Sequence, residues 1–329
     1  MASSKKLQIF FVSQIVLIGL GLFWSISAGA MKIDLTTIWN SIFRFEEVLE
    51  MQLVRDTRIP RALSALLAGG ILGMSGAMMQ GVTRNPVAEP SLMGISQGAT
   101  LTVAILYSLQ AVANPIMVLA AAFIGAMGSG LLVIAFTSRN PANLSMGKVW
   151  LAGTALSTFF LSLSSLIALL HNQSAMLGFW LAGGFRTATW SGVLLLGIAG
   201  VLGLMAALWL APKINVVHLG DDVAIGLGEN PSKVRLFTLL LMIPLCAATV
   251  AVARNIAFVG LIIPQIVKLA VGQDYRKIIP LSFVTGSSLL IFADIVARMI
   301  NLPYETPIGI FTSLLGVPWF IYLVRKERG

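Results

Sequence analysis

Charge is what this sequence has least of. Only 11% of its 329 residues are Asp, Glu, Lys or Arg, against about 25% in an ordinary soluble domain, while 57% are hydrophobic. A soluble chain of this length cannot hide that much apolar surface, because a compact core covers only part of what the chain exposes. The same composition excludes a disordered chain. Cysteine occurs once, at Cys246, which excludes an internal disulfide framework; within its apolar run it reads as a small core or lipid-facing residue. With two histidines, His171 and His218, and no HExxH, neither a metal site nor a cofactor is expected. A Walker A loop is also missing: Met146-Gly147-Lys148-Val149 lacks the earlier glycine and the Ser/Thr, so the chain is not expected to hydrolyse ATP itself. Acidic residues are outnumbered 13 to 22 by Lys and Arg, yet no basic run interleaved with aromatics points to nucleic acid. In a membrane protein such an excess follows the positive-inside bias.

What the sequence has in quantity is apolar length. At roughly 20 residues per span, the hydrophobic content fills about nine or ten helices, so an all-α polytopic membrane protein with about ten transmembrane helices is expected. The first run extends from about Ile9 to Ala28. Ala28-Gly29-Ala30 mimics a signal-peptidase site, but the run is longer than a signal-peptide core and is read as a retained span. Further spans fall near 61–81, 91–110, 116–136, 149–170, 191–211, 236–253, 256–271, 280–298 and 307–324. An even number puts both termini on one side. Threading from a cytoplasmic N-terminus leaves most Lys and Arg inside. In the second span Ala65, Gly69, Gly73 and Ala77 recur every fourth residue, a face that lets helix backbones approach closely. No soluble domain is visible; the longest polar stretches are about 30–61 and 212–235.

Two serine motifs suggest an enzyme and fail on context. Gly94-Ile95-Ser96-Gln97-Gly98 matches a nucleophile elbow, which needs a strand–turn–helix that a membrane span does not supply. Gly73-Met74-Ser75-Gly76 resembles an intramembrane serine protease motif, which needs a histidine within reach of Ser75, and neither histidine lies inside a span. Small-residue packing accounts for both.

Three polar segments stand out. Arg55-Asp56-Thr57-Arg58-Ile59-Pro60-Arg61 sets three arginines against the positive-inside trend. It reads either as an interfacial anchor with Asp56, Glu46, Glu47 and Glu50 as local partners, or as a rigid positive patch that receives acidic groups of an external protein. Gln80 to Pro90, with Asn85-Pro86 and Pro90, makes a stiff turn on the expected cytoplasmic side. In His218 to Pro231, Gly220 breaks the chain, Asp221 can cap and Asp222 suits a helix N-terminus. Gly226-Leu227-Gly228 then interrupts, and Asn230-Pro231 starts again. This is either a solvated loop with a helical turn or a short helix able to dock a cytoplasmic partner.

Together these segments resemble the FecCD-type permease family, the membrane subunits of ABC importers for iron–siderophore complexes, haem and vitamin B12. The matching pieces are Arg58-Ile-Pro-Arg61, Gly76-Ala-Met-Met-Gln80, Asn85-Pro-Val-Ala-Glu-Pro90, Gly94-Ile-Ser-Gln-Gly-Ala99, Leu219-Gly220 with Leu227-Gly228, and Phe258-Val-Gly-Leu-Ile-Ile-Pro264. Asp294-Ile-Val-Ala-Arg298, Pro307-Ile-Gly309 and Leu315-Gly316-Val-Pro318 continue the match to the C-terminus.

The resemblance implies an ABC importer type II permease fold, one transmembrane permease domain over 1–329 with helices two to five and seven to ten as related halves. It implies a second permease chain, identical or related, two cytoplasmic ABC ATPase subunits and an extracytoplasmic binding protein, in a bacterial cytoplasmic membrane with both termini cytoplasmic. Arg58, Arg61 and Arg298 look like the positions that meet the binding protein, although Asp294 four residues before Arg298 also offers an i,i+4 ion pair. The segment of about 213–235, with Leu219, Gly220, Asp221, Asp222, Ala224, Leu227 and Gly228, resembles the piece that docks in the ATPase. Ser145 and Met146 fall where relatives narrow the cytoplasmic end of the pathway.

The sequence departs from the family at Arg254-Asn255-Ile256-Ala257, where a Gly-rich stretch is usual, at Gln265 after Pro264, and at Tyr275 before Arg276. Arg254 and Asn255 are therefore possible pathway residues; Arg254 could contact an anionic substrate or dock the binding protein, with snorkelling to the interface its plainer reading. Iron–siderophore is the leading cargo; haem and cobalamin are alternatives. A secondary transporter, which would normally carry ionisable residues at mid-span, and an intramembrane protease are the rivals from other classes.

Overall fold

A computed structural model describes residues 2–109, 114–137 and 146–327. The chain begins with α1 (Ala2–Ser27), then the short α2 (Leu35–Phe43) and α3 (Leu49–Leu53). A π-helical turn (Val54–Arg58) leads directly into α4 (Ile59–Thr83). A 3-10 turn (Pro90–Met93) precedes α5 (Ile95–Ser108), followed by α6 (Pro115–Thr137), α7 (Met146–Leu170) and α8 (Ser174–Ala182). The second part comprises α9 (Trp190–His218), α10 (Asp221–Gly226), α11 (Pro231–Ala253), α12 (Val259–Val271), α13 (Tyr275–Met299) and α14 (Ile308–Glu327). Among the described residues there is no strand. The ten expected spans fall on α1, α4 to α7, α9 and α11 to α14. Seven helical stretches are long and apolar enough to cross a membrane by length and composition.

Helix α4 lies at the centre, packed against α9, α11, α12 and α13. Small residues make this possible. A Cβ on Gly76 would stand 1.9 Å from the Gly260 carbonyl oxygen of α12, and one on Gly69 would stand 2.2 Å from that of Gly286 in α13. The every-fourth-residue stripe is therefore the contact face of the central helix. By contrast α1, α6, α7 and α9 bury under a third of their most apolar stretch. Leu194, Ile198, Val201, Met205 and Trp209 of α9 face outward.

Two of the ten helices on expected spans, α5 and α12, are too short to cross a bilayer. At 1.5 Å per residue, the 14 residues of α5 and the 13 of α12 reach only about 20 Å of a hydrocarbon core of about 30 Å. Each follows the same device. Helix α4 ends on Arg84 with φ 53°, and α11 ends on Arg254 with φ 63°, both followed by Asn; α5 then starts from Gly94 at φ 73° and α12 from Phe258 at φ 69°. Arg84 lies beside α10, whereas Arg254 lines a cavity with Arg61 at the other end of the bundle. The two halves thus repeat one pattern in opposite directions, as repeat-built transporters do.

Side chains from the first half complete the second. The Glu89 carboxyl oxygen accepts the Phe258 N–H at the start of α12, one of the donors that a helix N-terminus leaves open. Pro264 cannot donate to the Gly260 carbonyl four residues back, and the Gln80 amide donates there at 3.3 Å and to the Leu261 carbonyl at 3.1 Å instead.

Candidate functional site

Helix α10 begins at Gly220, whose φ of 132° suits only glycine, and stops near Gly228 at φ 82°. Asn230 accepts the Lys233 N–H at 3.1 Å, and Pro231 occupies the first turn of α11, a standard start signal. The short helix, the interruption and the restart therefore form as the sequence indicates. Asp221 differs: Gly220 is the capping residue, and the Asp221 carboxylate instead joins two arginines. Arg84 at the end of α4 donates to it at 3.0 Å, and Arg235 of α11 at 2.7 and 3.0 Å. Ala224 packs inward, while Leu219, Val223, Ile225 and Leu227 are exposed; Asp222 and Gly228 are exposed as well. A helix pinned by two ion pairs thus presents an apolar outer edge.

At the other end, Arg58, Arg61 and Arg298 come together but face inward, with 4–7% of each exposed. Arg61 Nε and Nη2 donate to the fully buried Asp294 at 2.9–3.1 Å, and Nη1 donates to Glu305 at 2.6 Å. Arg298 pairs with the same Asp294 at 3.2 Å, as the i,i+4 spacing indicates, and donates to the Ser25 hydroxyl at 2.8 Å and its carbonyl at 3.0 Å. Arg58 donates to the carbonyls of Ile26, Ser27 and Met31. These arginines are thus turned into the bundle: a helix leaves its last carbonyls without partners, and Arg58 and Arg298 supply donors to the end of α1. The expected local partners also differ, since among the described residues no ion pair joins Arg55, Arg58 or Arg61 to Asp56, Glu46, Glu47 or Glu50. Arg55 is exposed and lies over the Phe45 ring at 4.6 Å.

Two cavities adjoin this cluster. One of about 520 Å³ is lined by Arg61, Arg186, Arg254, Glu305 and the glycines after α8. The other, about 700 Å³, is mostly apolar and runs between α8, Asn255, Ala257 and the first half of α14. Ala182 and Pro307 line both. Arg254 is not free to snorkel, since it donates to the Phe179 carbonyl at 3.1 Å and to Thr187 Oγ1 at 3.0 Å, and lies over Trp180 at 5.4 Å.

Residues 16–326 match the FecCD transport family. This chain belongs to the FecCD family. It is 45% identical over 325 residues to the iron(3+)-hydroxamate import system permease protein FhuB of Bacillus subtilis (strain 168), covering 97% of this chain and 84% of that protein. It is 37% identical over 279 residues to the Fe(3+) dicitrate transport system permease protein FecC of Escherichia coli (strain K12), covering 84% and 83%. A solved metal-chelate type ABC transporter in an inward-facing conformation superposes with a TM-score of 0.83 at 27% identity, over 97% of this chain and 99% of that one. This FecCD chain is a multi-pass membrane protein.

Of the residues expected to narrow the pathway, Ser145 lies outside the described residues, and Met146, partly buried, opens α7. Several functional side chains carry no local signal. Glu305 and Arg235 stand in no motif, and Asp294 is legible only as the neighbour of Arg298. Helix α8, whose Phe179 and Trp180 hold Arg254, is a nine-residue element between two long spans and was absent from the expected helices.

Proposed function

We propose that this chain, as one permease domain over 1–329, is the translocation subunit of a bacterial ABC importer for ferric siderophores, with the hydroxamate class first. What carries the reading is the 45% identity, over 97% of the chain, to an iron(3+)-hydroxamate permease. The α10 end is the cytoplasmic one, with both termini there, and the coupling segment of about 213–235 docks the ATP-hydrolysing subunit. The apolar edge of Leu219, Ile225 and Leu227, exposed by 63–67%, supports this, because such a row on a projecting helix fits a hydrophobic groove. Met146 with Ser145 closes the cytoplasmic end of the passage.

The binding protein docks at the opposite end. There, among the described residues, Arg61 and Arg298 pair with Asp294 and Glu305, and Arg58 has no ion pair. The cluster keeps an excess of positive charge just beneath the surface, and exposed Arg55 adds to it. A field of this kind attracts acidic groups and weakens with salt. A second permease chain, identical or related, completes the passage along α8 and α14, and energy comes from the partner ATPase.

The test is reconstitution with the two ATPases, a second permease chain and candidate binding proteins in proteoliposomes. ATP-dependent uptake of a radioactive ferric trihydroxamate, lost when the binding protein is omitted, is the expected result. Uptake of haem or a corrinoid with no uptake of ferric chelates would overturn the cargo assignment.

A further inference from the structure

Arg254 is held in a backbone conformation that side chains avoid. Its φ of 63° and ψ of −139° lie close to the region populated almost only by glycine, where another residue costs about 1–3 kcal/mol. Strain of this size persists where surrounding contacts impose it. Here the Phe179 carbonyl, Thr187 Oγ1 and the Trp180 ring fix the guanidinium. These contacts orient the group without neutralising it. Among the described residues neither Arg254 nor the exposed Arg186 forms an ion pair; burial pushes the Arg254 guanidinium pKa down, and the Arg186 charge adds to this against an opposing effect of Tyr107. Arg61, in the same cavity, is already committed to Asp294 and Glu305.

The place is as informative as the charge. Arg254 and Arg186 line the cavity of about 520 Å³, within the size range of small-molecule sites. That cavity adjoins the apolar one of about 700 Å³ lined by Asn255 and α14. The two cavities share Ala182 and Pro307, so the two cations, which have no ion pair among the described residues, adjoin apolar walls. Each hydroxamate group of a ferric chelate binds iron through two oxygens that share one negative charge, and a guanidinium fork matches such paired oxygens.

We propose that Arg254, assisted by Arg186, forms an entry site that receives the paired iron-binding oxygens of a ferric chelate released at the mouth of the passage. The proposal rests on the importer reading above. Arg254 is a substrate-binding residue here, distinct from the buried arginines that face Asp294.

The test uses the complete reconstituted importer and a radioactive ferric trihydroxamate presented on its binding protein. Arg254→Gln keeps a polar amide but removes the charge, and Arg254→Lys keeps the charge. The expected result is an uptake rate at saturating binding protein about tenfold lower for Gln and partly restored for Lys. Docking affinity of the binding protein, at matched salt, stays unchanged. Unchanged uptake in Arg254→Gln overturns the proposal, as does a loss confined to docking affinity, which would give the anion site to a carboxylate of the binding protein. Equal losses for Gln and Lys with a lowered unfolding temperature would make Arg254 a structural tie and overturn it too. If the wild-type complex takes up no ferric chelate, the importer reading fails instead.

Discussion

Asp294 and Arg61 stand 233 positions apart, yet the carboxylate receives two guanidinium nitrogens at 2.9–3.1 Å in a site where Asp294 has no exposure. The same carboxylate pairs with Arg298 at 3.2 Å. It ties α4 to α13 at the end where α1 also finishes.

Removing that charge should be costly. Asp294→Asn leaves two buried guanidinium groups facing a neutral amide, and breaking a buried pair from one side costs about 3–5 kcal/mol. A clear fall in the unfolding temperature of the purified protein in detergent is expected. Glu305→Gln should cost less, because the Glu305 side chain is 33% exposed and water can replace part of what is lost. Equal effects would mean that the network does not hold the helices.

Gly76→Ala should destabilise far more than Gly128→Ala. A methyl at 76 would enter the Gly260 carbonyl oxygen at 1.9 Å, whereas nothing lies within 4 Å of one at 128. Because the obstacle is backbone, α4 and α12 must separate, at about 1–3 kcal/mol. Gly128→Ala removes a helical glycine in open space and should be neutral or mildly stabilising. Paired thermal melts read the difference directly.

Asp274 gives a pH dependence of known sign. It caps α13, accepting from Arg276 N–H at 3.1 Å and from Asn215 Nδ2 at 2.9 Å. Partial burial pushes its carboxyl up, but these hydrogen bonds and the Lys277 and Arg276 charges outweigh that and hold it below the ordinary value of 3.8. A depressed folded pKa contributes stability that is present above the unfolded value and lost as pH falls through the folded one. Wild-type protein should therefore keep a constant advantage over Asp274→Asn above pH of about 5 and lose it below about 4. An advantage that grows on acidification would contradict this.

These sites differ in how far the sequence announces them. The ten helices are legible because each needs only a long apolar run, and α10 because Gly220, Gly228, Asn230 and Pro231 are local signals. The stripe through Gly69 and Gly73 shows a close contact but not its partners, Gly286 and Ser282, which belong to another helix far along the chain. Arg58 before α4 is conspicuous, but its inward turn depends on carbonyls at the end of α1, which have no sequence signature. Short α8 is hidden for a related reason. Nine residues carry too little periodicity to separate from neighbouring spans, so the cradle of Arg254 emerges only in three dimensions.

The Asp221 node predicts a separation between docking and coupling. Its carboxylate holds Arg84 and Arg235 together, so force applied to α10 reaches α4 and α11 through one residue. Asp222 is exposed on the same helix and has no ion pair among the described residues. Asp221→Asn should leave the apolar edge of Leu219, Ile225 and Leu227 intact, so the ATPase should still co-purify. Losing a part-exposed pair worth about 1 kcal/mol should nevertheless lower uptake per ATP hydrolysed about fivefold. Asp222→Asn should change neither by more than about twofold, as expected for an exposed charge. If Asp221→Asn instead abolishes co-purification while Asp222→Asn does not, Asp221 serves the docking surface itself, and the path from α10 into the bundle must run through the packing of Ala224.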